Sequence, residues 1–257
     1  MKDKDLRVVI PSSRRPRMAG AAFRLVKLFA DICVPAAEKR AYAALGKAVV
    51  THPDEIAGSG ALRRWILDHY KQKCVVILDD DVFRVLCVVG RKARAITDPE
   101  AIRRILLNAA TIAEGTSASI FSFGAGAIHE SPVRSFLPYD PFSISKLAGG
   151  CVGFVGRKIL PDPKLHHGVD TDVNLAALLK DRIVWQDNRF VFERRALLKP
   201  IVPNKESWKR DRKYLAQKWG PYIAEKHAAG VTRMAVTNVT RREKVSARAG
   251  EDMWPES

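Results

Sequence analysis

Three consecutive aspartates at the end of a short apolar segment are the residues of this chain best placed to do chemistry. Asp79, Asp80 and Asp81 follow residues 74–78, an apolar run that indicates a buried strand. Alternate side chains of a strand point the same way, so we expect Asp79 and Asp81 on one side and Asp80 on the other. Clustered carboxylates repel each other unless a positive charge lies between them. A divalent cation with a phosphorylated ligand fits that need, and an acidic loop after a buried strand is an equally open alternative.

The chain is strongly basic, and its basic residues are unevenly distributed. Its 257 residues carry a formal net charge of +16. Residues 193–248 hold 15 Lys and Arg against 5 Asp and Glu, a net charge of +10. This excess predicts a polyanionic partner such as DNA or RNA. A solvated basic face is the alternative explanation.

Composition and cysteine pattern argue against several classes of protein. No apolar run approaches the roughly 18 residues of a membrane span, and the charged start does not resemble a signal peptide. The four cysteines form no CxxC pair, which predicts reduced thiols and argues against a zinc site. We therefore expect a cytoplasmic protein without a membrane partner.

Strands and helices alternate over the first part of the chain. The hydrophobic patterns predict, in order, a strand over 7–11, a helix over 18–30, a strand over 47–51, a helix over 61–70 and the strand over 74–78. This alternation predicts an α/β fold with a mostly parallel central sheet and helices on both faces. Ligands of such sheets bind outside the carboxyl ends of the strands, where the aspartates and the polar loop 12–15 lie.

The remaining sequence predicts more strands, a long loop and a basic helical end. The predicted elements are strands over 82–89, 118–123 and 151–155, helices over 99–114, 173–179, 208–220 and 221–229, and a hairpin over 183–192 that turns at Asp187 and Asn188. A loop rich in Gly, Ser and Pro over 124–150 could serve as a lid or acceptor loop. The tail after residue 240 is polar and is expected to be mobile.

Several motifs, taken in order, resemble the GT-A glycosyltransferases. The first strand and the residues after it are similar to the nucleotide-binding opening of that family, and the strand ending in the three aspartates resembles its DxD metal motif. Segment 58–65 resembles the helix that precedes the DxD motif, and segment 169–172 resembles the later acidic motif near the acceptor. The runs 172–175 and 185–192 resemble most the TET-associated glycosyltransferases of phages, which are predicted to act on hydroxymethylated pyrimidines in DNA.

The resemblance implies a role for each matched residue. Asp79 and Asp81 would hold Mn²⁺ or Mg²⁺ against the diphosphate of a sugar nucleotide, and Asp80 would lie near the ribose or the sugar. Arg63 would help to neutralise the diphosphate. The remaining residues expected to bind the nucleotide sugar follow the first strand and are Pro11, Ser12, Ser13 and Arg14.

The acidic motif offers two candidates for a general base. The resemblance implies that Asp170 accepts the proton of the acceptor hydroxyl if the enzyme inverts. Many members of the family carry Glu before this aspartate, whereas this chain has Val169, so Asp172 stays open as the alternative base. Either carboxylate could instead stabilise the N-terminus of a helix.

The basic helix that begins near residue 208 is the predicted DNA contact. Its aromatic residues are interleaved with basic ones, a mixture that suits nucleic acid. An amphipathic helix that packs its aromatics on the core fits the same pattern. The residues predicted to contact DNA are Lys209, Arg210, Arg212, Lys213 and Lys218.

Together these observations predict a metal-dependent transferase. We expect a GT-A domain over 1–195, with a nucleotide-sugar half at about 1–90 and an acceptor half at about 91–195, followed by a basic helical extension over 196–257. The predicted reaction moves a sugar from a UDP-sugar to the hydroxyl of 5-hydroxymethylcytosine in DNA, in the host cytoplasm if a phage encodes the chain. The alternatives are another acceptor, a nucleic-acid-binding module on a degenerate transferase fold, and a nucleotidyltransferase, although the Gly-rich loop expected of the last is not evident.

Overall fold

The centre of the molecule is one mixed β-sheet. The computed structural model describes residues 1–89, 92–124, 141–144, 149–195, 205–228 and 231–236. Within these ranges the sheet has ten strands, which are β1 (Leu6–Pro11), β2 (Ala30–Pro35), β3 (Val49–His52), β4 (Cys74–Leu78), β5 (Val82–Val89), β6 (Lys92–Ile96), β7 (Ile120–Gly124), β8 (Phe142–Ser143), β9 (Cys151–Val155) and β10 (Trp185–Arg194).

The strand order places the end of β4 near the middle of the sheet. The order is β3-β2-β1-β4-β9-β7-β10-β5-β6, with β8 paired to β10. The first four strands in this order are mutually parallel, and β9 and β5 run against their neighbours. In the described part, most strands therefore share one direction, and the carboxyl ends of β1, β4, β7 and β10 meet at one edge.

Five α-helices in the described ranges cover the sheet. They are α1 (Pro16–Val26), α2 (Ser59–His69), α3 (Pro99–Gly115), α4 (Val169–Asp181) and α5 (Lys205–Trp219). Three segments in the described ranges are 3₁₀-helical, namely Asp3–Asp5, Ala36–Ala48 and Gly220–Tyr222. The start of α3 agrees with the sequence: Asp98 accepts hydrogen bonds from the backbone N–H groups of Glu100 and Ala101 and so satisfies two free helix donors.

Two core layers lie on opposite faces of the sheet, as the alternation of strand side chains requires. On one face, Val76 and its neighbours pack with α1 and α3. On the other face, Val75 and Ile77 pack with Leu67 of α2 and with α4. Burying a side chain such as Leu67 completely contributes about 1.5–3 kcal/mol. The prediction of an α/β fold on a mostly parallel sheet with helices on both faces is confirmed.

Two elements near the start and end of the chain differ from the sequence prediction. The helix predicted over 18–30 ends at Val26, and residues 30–35 form β2, because a short buried strand cannot be told from a buried helix by its apolar run. The helix predicted over 221–229 is wrong. Instead β11 (Ile223–Ala228) pairs with β12 (Val231–Val236) in an antiparallel hairpin, so strand pairing overrides the helical propensity of the segment.

The predicted hairpin over 183–192 is also wrong, because β10 continues through it. The carboxylate of Asp187 accepts hydrogen bonds from the backbone N–H and the guanidinium of Arg189, a local Asx turn that does not reverse the chain, since β10 runs on to Arg194. The pairing of β10 with β7 shifts between Asp187 and Val191, and beyond the shift β10 pairs with β5. A bulge thus lets one long strand serve both neighbours.

Helix α4 begins at Val169, earlier than predicted, so Asp170 and Asp172 both lie in its first turn. Most of the predicted loop over 124–150 and the tail after residue 240 lie outside the described residues. Among the helices of the described ranges, none combines the length and the apolar character that crossing a membrane requires.

Candidate active site

The three aspartates form a tight turn between β4 and β5. The backbone N–H of Val82 donates to the carbonyl of Asp79 over 3.1 Å and closes the turn. On one side the N–H of Asp79 donates to the carbonyl of Gly150 at 2.8 Å, and on the other the N–H of Arg195 donates to the carbonyl of Asp81 at 2.9 Å. Gly150 has φ +98°, a conformation that side-chain-bearing residues rarely adopt. The positions of the carboxylates are therefore set by backbone hydrogen bonds on both sides.

Asp80 turns away from its two neighbours and is buried against the loop after β1. The Ser12 hydroxyl donates to Asp80 Oδ2 at 2.7 Å, and Arg15 Nη2 lies 2.9 Å from Oδ1. Tyr42 completes the contact, with its hydroxyl 2.9 Å from Ser12 Oγ. Burial raises the pKa of Asp80 to about 6, although Ser12 and Arg15 act to lower it. Asp80 thus ties the turn to the predicted nucleotide loop.

Asp79 and Asp81 both face Arg194, the last residue of β10. Arg194 Nε lies 3.0 and 3.1 Å from the two carboxylate oxygens of Asp81, and Nη2 lies 3.0 Å from Asp81 Oδ2. The same Nη2 is 3.7 Å from Asp79 Oδ2. Asp79 and Asp81 therefore share one partner, as predicted. The physical reason differs from the one predicted, because both residues lie in a turn and not in the strand.

Arg63 of α2 joins Asp79 to the second acidic motif. Its Nη1 donates to Asp170, and its Nη2 lies 3.5 Å from Asp79 Oδ1. The start of α2 can approach segment 162–165 because residue 60 is glycine: a Cβ there would lie 2.1 Å from the carbonyl oxygen of Asp162. The structure therefore brings Arg63, Asp79, Asp81 and Asp170 together with Arg194.

The charges of this cluster shift one another's protonation in opposite directions. Burial raises the pKa of the Asp79 carboxyl, while Arg63 and Arg194 act to lower it. Burial alone would lower the pKa of Arg63, but Asp170 and Asp79 outweigh it and raise that pKa above its ordinary value. The site thus combines carboxylates that need positive partners with guanidinium groups that stay charged.

The carboxylate oxygens of Asp79 and Asp81 suit a hard cation, provided that the Arg194 guanidinium moves away from Asp81. The described residues contain no set of three or more His, Cys, Asp or Glu side chains already arranged around a common metal position. Mg²⁺ typically takes only one or two protein carboxylates together with substrate phosphates, and Asp79 and Asp81 could supply them. Both oxygens of Asp81 now contact Arg194, so a cation at this position requires that guanidinium to move.

The two candidate bases lie in different surroundings. Asp170 contacts Arg63, and its side chain is 40% exposed. Asp172 is 2% exposed, where the indole N–H of Trp219 donates to it at 2.9 Å and Lys218 Nζ lies 2.7 Å away. The structure brings Asp170 but not Asp172 into the arginine and aspartate cluster. Asp172 instead fixes the end of α5.

Two of the remaining predicted nucleotide residues, Ser13 and Arg14, contact Glu38 of the 3₁₀ segment Ala36–Ala48. The Ser13 hydroxyl and the backbone N–H of Arg14 each donate to a Glu38 oxygen at 2.6 Å. Arg14 has φ +58°, an uncommon conformation for a residue other than glycine. Pro11 ends β1 and is half-buried, directly before Ser12.

The predicted DNA-binding residues of α5 divide between two environments. Lys218 faces the domain, with its Nζ 2.8 Å from Asp162 and 2.7 Å from Asp172. The Arg210 guanidinium bonds Asp211, and the guanidinium carbon of Arg212 lies 4.6 Å from the Trp208 ring centroid. Lys209, Arg210 and Lys213 are exposed.

Helix α5 is held on the domain by its buried face. Asp211 is buried and accepts hydrogen bonds at 2.8 Å from the backbone N–H groups of both His166 and His167. Leu215 joins the core layer that contains α2 and α4. Packing of an amphipathic helix, one of the two alternatives for this segment, is therefore observed, and its solvent-facing side carries the exposed basic residues.

Two arginines of the candidate site, Arg15 and Arg194, are not among the predicted site residues. Arg194 lies two residues beyond the hairpin predicted over 183–192, so no predicted element places it beside the aspartates. Arg15 directly follows the predicted nucleotide residues, and its position in the loop after a strand was the available signal. The contacts of Arg15 with Asp80 and of Arg194 with Asp81 arise only when the ends of β1, β4 and β10 meet.

The class of fold follows from these elements and from a comparison of structures. The chain has a GT-A-like α/β fold, with the acidic turn at the carboxyl end of a central strand. No family model and no curated protein sequence matches the chain.

Among solved structures, S. aureus TarS 1-349 is similar to this chain, with a TM-score of 0.50, 10% identity, and coverage of 83% of this chain and 64% of that one. The same TarS fragment in complex with UDP-GlcNAc gives a TM-score of 0.49, 11% identity, and coverage of 82% and 66%. A CMP:2-keto-3-deoxy-manno-octonic acid synthetase complexed with CTP gives a TM-score of 0.39, 13% identity, and coverage of 83% and 99%. The chain spans less than two thirds of the TarS fragment, and the likeness at this identity shows the fold alone.

Proposed function

We propose that this chain is a metal-dependent glycosyltransferase that moves a sugar from a UDP-sugar to the hydroxyl of 5-hydroxymethylcytosine in DNA. The observation that carries the proposal is the meeting of Asp79, Asp81 and Asp170 with Arg63 and Arg194 at the carboxyl ends of the strands. This is the edge at which open α/β sheets bind ligands. The TarS fragment, which shares the fold, has been solved with UDP-GlcNAc and with UDP, in line with a nucleotide-sugar donor.

In the proposed reaction, the acceptor oxygen forms a bond to the anomeric carbon of the sugar. The bond between that carbon and the phosphate oxygen breaks, and UDP leaves with the electron pair. Arg63 and Arg194 would stabilise the negative charge that develops on the diphosphate. A cation held by Asp79 and Asp81 would supply further stabilisation of the same charge.

The acceptor must lose a proton during transfer. Asp170 is our candidate for the base if the reaction inverts, because it lies in the cluster and 40% of its side chain is exposed. A carboxylate within hydrogen-bond reach of a hydroxyl can accept its proton. Arg63 would orient this carboxylate through their direct contact.

The DNA acceptor is proposed from charge. The exposed face of α5 presents Lys209, Arg210 and Lys213, and residues 193–248 carry a net charge of +10. A duplex or single strand would meet this face through its phosphates, which supply affinity that depends on salt and not on base sequence. The hydroxymethyl group could be reached in the major groove or on an extruded base.

A transfer assay tests the proposal directly. The protein is incubated with Mn²⁺, a panel of UDP-sugars, and DNA that contains either cytosine or 5-hydroxymethylcytosine. The masses of the nucleosides from this DNA are then measured by mass spectrometry. We expect a hexose or pentose gain only on the hydroxymethylated DNA, lost in Asp79→Ala and Asp81→Ala. Asp68→Ala is the matched control, because Asp68 is exposed and contacts Arg64 outside the site.

The other outcomes divide the proposal. Metal-dependent UDP binding without a mass gain would keep the donor and remove 5-hydroxymethylcytosine as acceptor. Absence of UDP binding with any divalent cation would overturn the transferase proposal. DNA binding indifferent to UDP and metal would then favour a nucleic-acid-binding module.

A further inference from the structure

Arg194 makes contacts that use the same carboxylate oxygens as a cation would. Its Nε lies 3.0 and 3.1 Å from the two oxygens of Asp81, and its Nη2 reaches toward Asp79 at 3.7 Å. Two guanidinium nitrogens on one carboxylate form a strong, directional contact. The guanidinium therefore fills the role of the positive charge that clustered carboxylates require.

The two partners of this contact differ in burial. The Asp81 side chain is 6% exposed, whereas the Arg194 side chain is 47% exposed. A buried carboxylate is costly without a positive partner, and a half-exposed guanidinium can turn into water at small cost. Because the Asp81 backbone is also held by the N–H of Arg195, Arg194 is the partner able to leave.

Arg63 does not share this freedom. Its side chain is 11% exposed, it projects from a helix, and it contacts Asp79 and Asp170 together. Of the two arginines in the cluster, one is thus fixed and the other is exchangeable. With both arginines in place, the carboxylates of Asp79, Asp81 and Asp170 keep one uncompensated negative charge. When Arg194 withdraws, they keep two, which matches the charge of a divalent cation.

We propose that Arg194 acts as an exchangeable occupant of the cation position: it holds Asp79 and Asp81 in the free protein, is displaced by the divalent cation, and then binds the diphosphate of the donor. This inference rests on the proposed function for the donor and on geometry for the exchange. Binding of the cation frees the Arg194 guanidinium from Asp81, and binding of the donor gives that guanidinium a new negative partner. Each binding event therefore strengthens the other. Arg194 thus competes with the cation for Asp79 and Asp81 and, once displaced, is a binding residue for the donor.

The test measures Mn²⁺ binding in the absence of any nucleotide, by the electron paramagnetic resonance signal of free Mn²⁺. Mn²⁺ must displace the Arg194 guanidinium from Asp81, so removal of this competitor in Arg194→Ala is expected to tighten Mn²⁺ binding by roughly tenfold. With saturating Mn²⁺, the same variant is expected to bind UDP at least about tenfold more weakly, since it loses a charged hydrogen bond. Arg194→Lys should lie between the wild type and the alanine variant in both measurements.

Arg195→Ala is the matched control, since it removes the same charge one residue away. The Arg195 side chain is exposed and lies over the Phe83 ring at 5.4 Å, and we expect wild-type binding of both Mn²⁺ and UDP. Thermal unfolding of each variant checks that it is folded. A purely structural role for Arg194 would not move the two affinities in opposite directions.

Two results would overturn the inference. The first is Mn²⁺ binding by folded Arg194→Ala that is no tighter than that of Arg195→Ala. The second is wild-type UDP binding of equal strength with Mn²⁺ and with EDTA, which would mean that the arginines hold the donor without a cation. Because the Mn²⁺ measurement contains no nucleotide, failure of the exchange stays distinct from failure of the transferase proposal, which the transfer assay decides.

Discussion

Arg63 donates to Asp170, a residue 107 positions later in the chain, and the same guanidinium lies 3.5 Å from Asp79. One side chain on α2 therefore connects the turn after β4 with the first turn of α4. The contact places a candidate metal-binding carboxylate and the candidate base on the two sides of one fixed positive charge. The two acidic motifs that the sequence presents separately therefore meet in a single charged cluster.

Replacing Arg63 should disrupt this site without unfolding the protein. In Arg63→Gln, Asp79 and Asp170 lose their shared partner and repel each other, so we expect UDP affinity with Mn²⁺ to fall at least about tenfold and transfer at least about a hundredfold. Titration calorimetry and the transfer assay measure the two effects.

Arg64→Gln is the control for this prediction. Arg64 is the next residue of the same helix, and it pairs at the surface with Asp68, a contact expected to contribute about 0.3–0.5 kcal/mol. Equal binding and turnover by the two variants would contradict a role for Arg63 at the site.

The buried carboxyl of Asp80 should make stability depend on pH. Burial raises the pKa of Asp80 to about 6 in the folded protein, from an ordinary value of 3.8. Between these values the folded state binds more protons than the unfolded state, so the contribution of Asp80 to stability falls as pH rises through this window.

The variant Asp80→Asn removes this titration and keeps the shape of the side chain. Its free energy of unfolding, relative to the wild type, should rise by about 2 kcal/mol between pH 4 and pH 7. Urea unfolding of both proteins across that range measures the difference, in which the titration of other groups largely cancels. A difference that is flat or falls over this range would show that Ser12 and Arg15 fully compensate the buried charge.

Asp211 should anchor α5 to the domain. Removing its carboxylate in Asp211→Ala leaves the backbone N–H groups of His166 and His167 without their acceptor. We expect the free energy of unfolding to fall by about 1–3 kcal/mol. Gln217→Ala, at an exposed position of the same helix, should change it by less than about 0.5 kcal/mol. Urea unfolding that gave the two variants equal stability would refute the anchoring role.

The exposed lysines of α5 should govern the salt dependence of DNA binding. If Lys209 and Lys213 each neutralise a phosphate, the double alanine variant should reduce the slope of log K against log salt by about 2. Fluorescence anisotropy with labelled DNA at several salt concentrations measures this slope. A double alanine variant at Lys4 and Lys27, which are exposed outside α5, should keep the wild-type slope. Equal slopes for both double variants would place the DNA contact elsewhere or exclude it.

Strong local patterns allowed much of the fold to be predicted. The strand at 74–78 has the predicted bounds, and the helix predicted over 99–114 is observed as Pro99–Gly115. The errors fell where local preference and tertiary pairing disagree. Asp187 and Asn188 have the composition of a turn, yet β10 passes through them. The N–H of Asn188 donates to the carbonyl of Pro141 and the N–H of Arg189 to the Asp187 carboxylate, so these backbone groups are satisfied between the pairing with β7 and the pairing with β5.

The amino-acid sequence by itself determined that three carboxylates follow a buried strand and that basic residues concentrate after residue 193. It did so because apolar periodicity and charge are local properties of the chain. Only the tertiary structure decided that Arg194 and Arg63 are the partners of those carboxylates, that Asp170 joins them, and that Asp172 holds α5. Those contacts join residues far apart in the chain, so they depend on how strand ends meet at one edge of the sheet, which local sequence patterns do not specify.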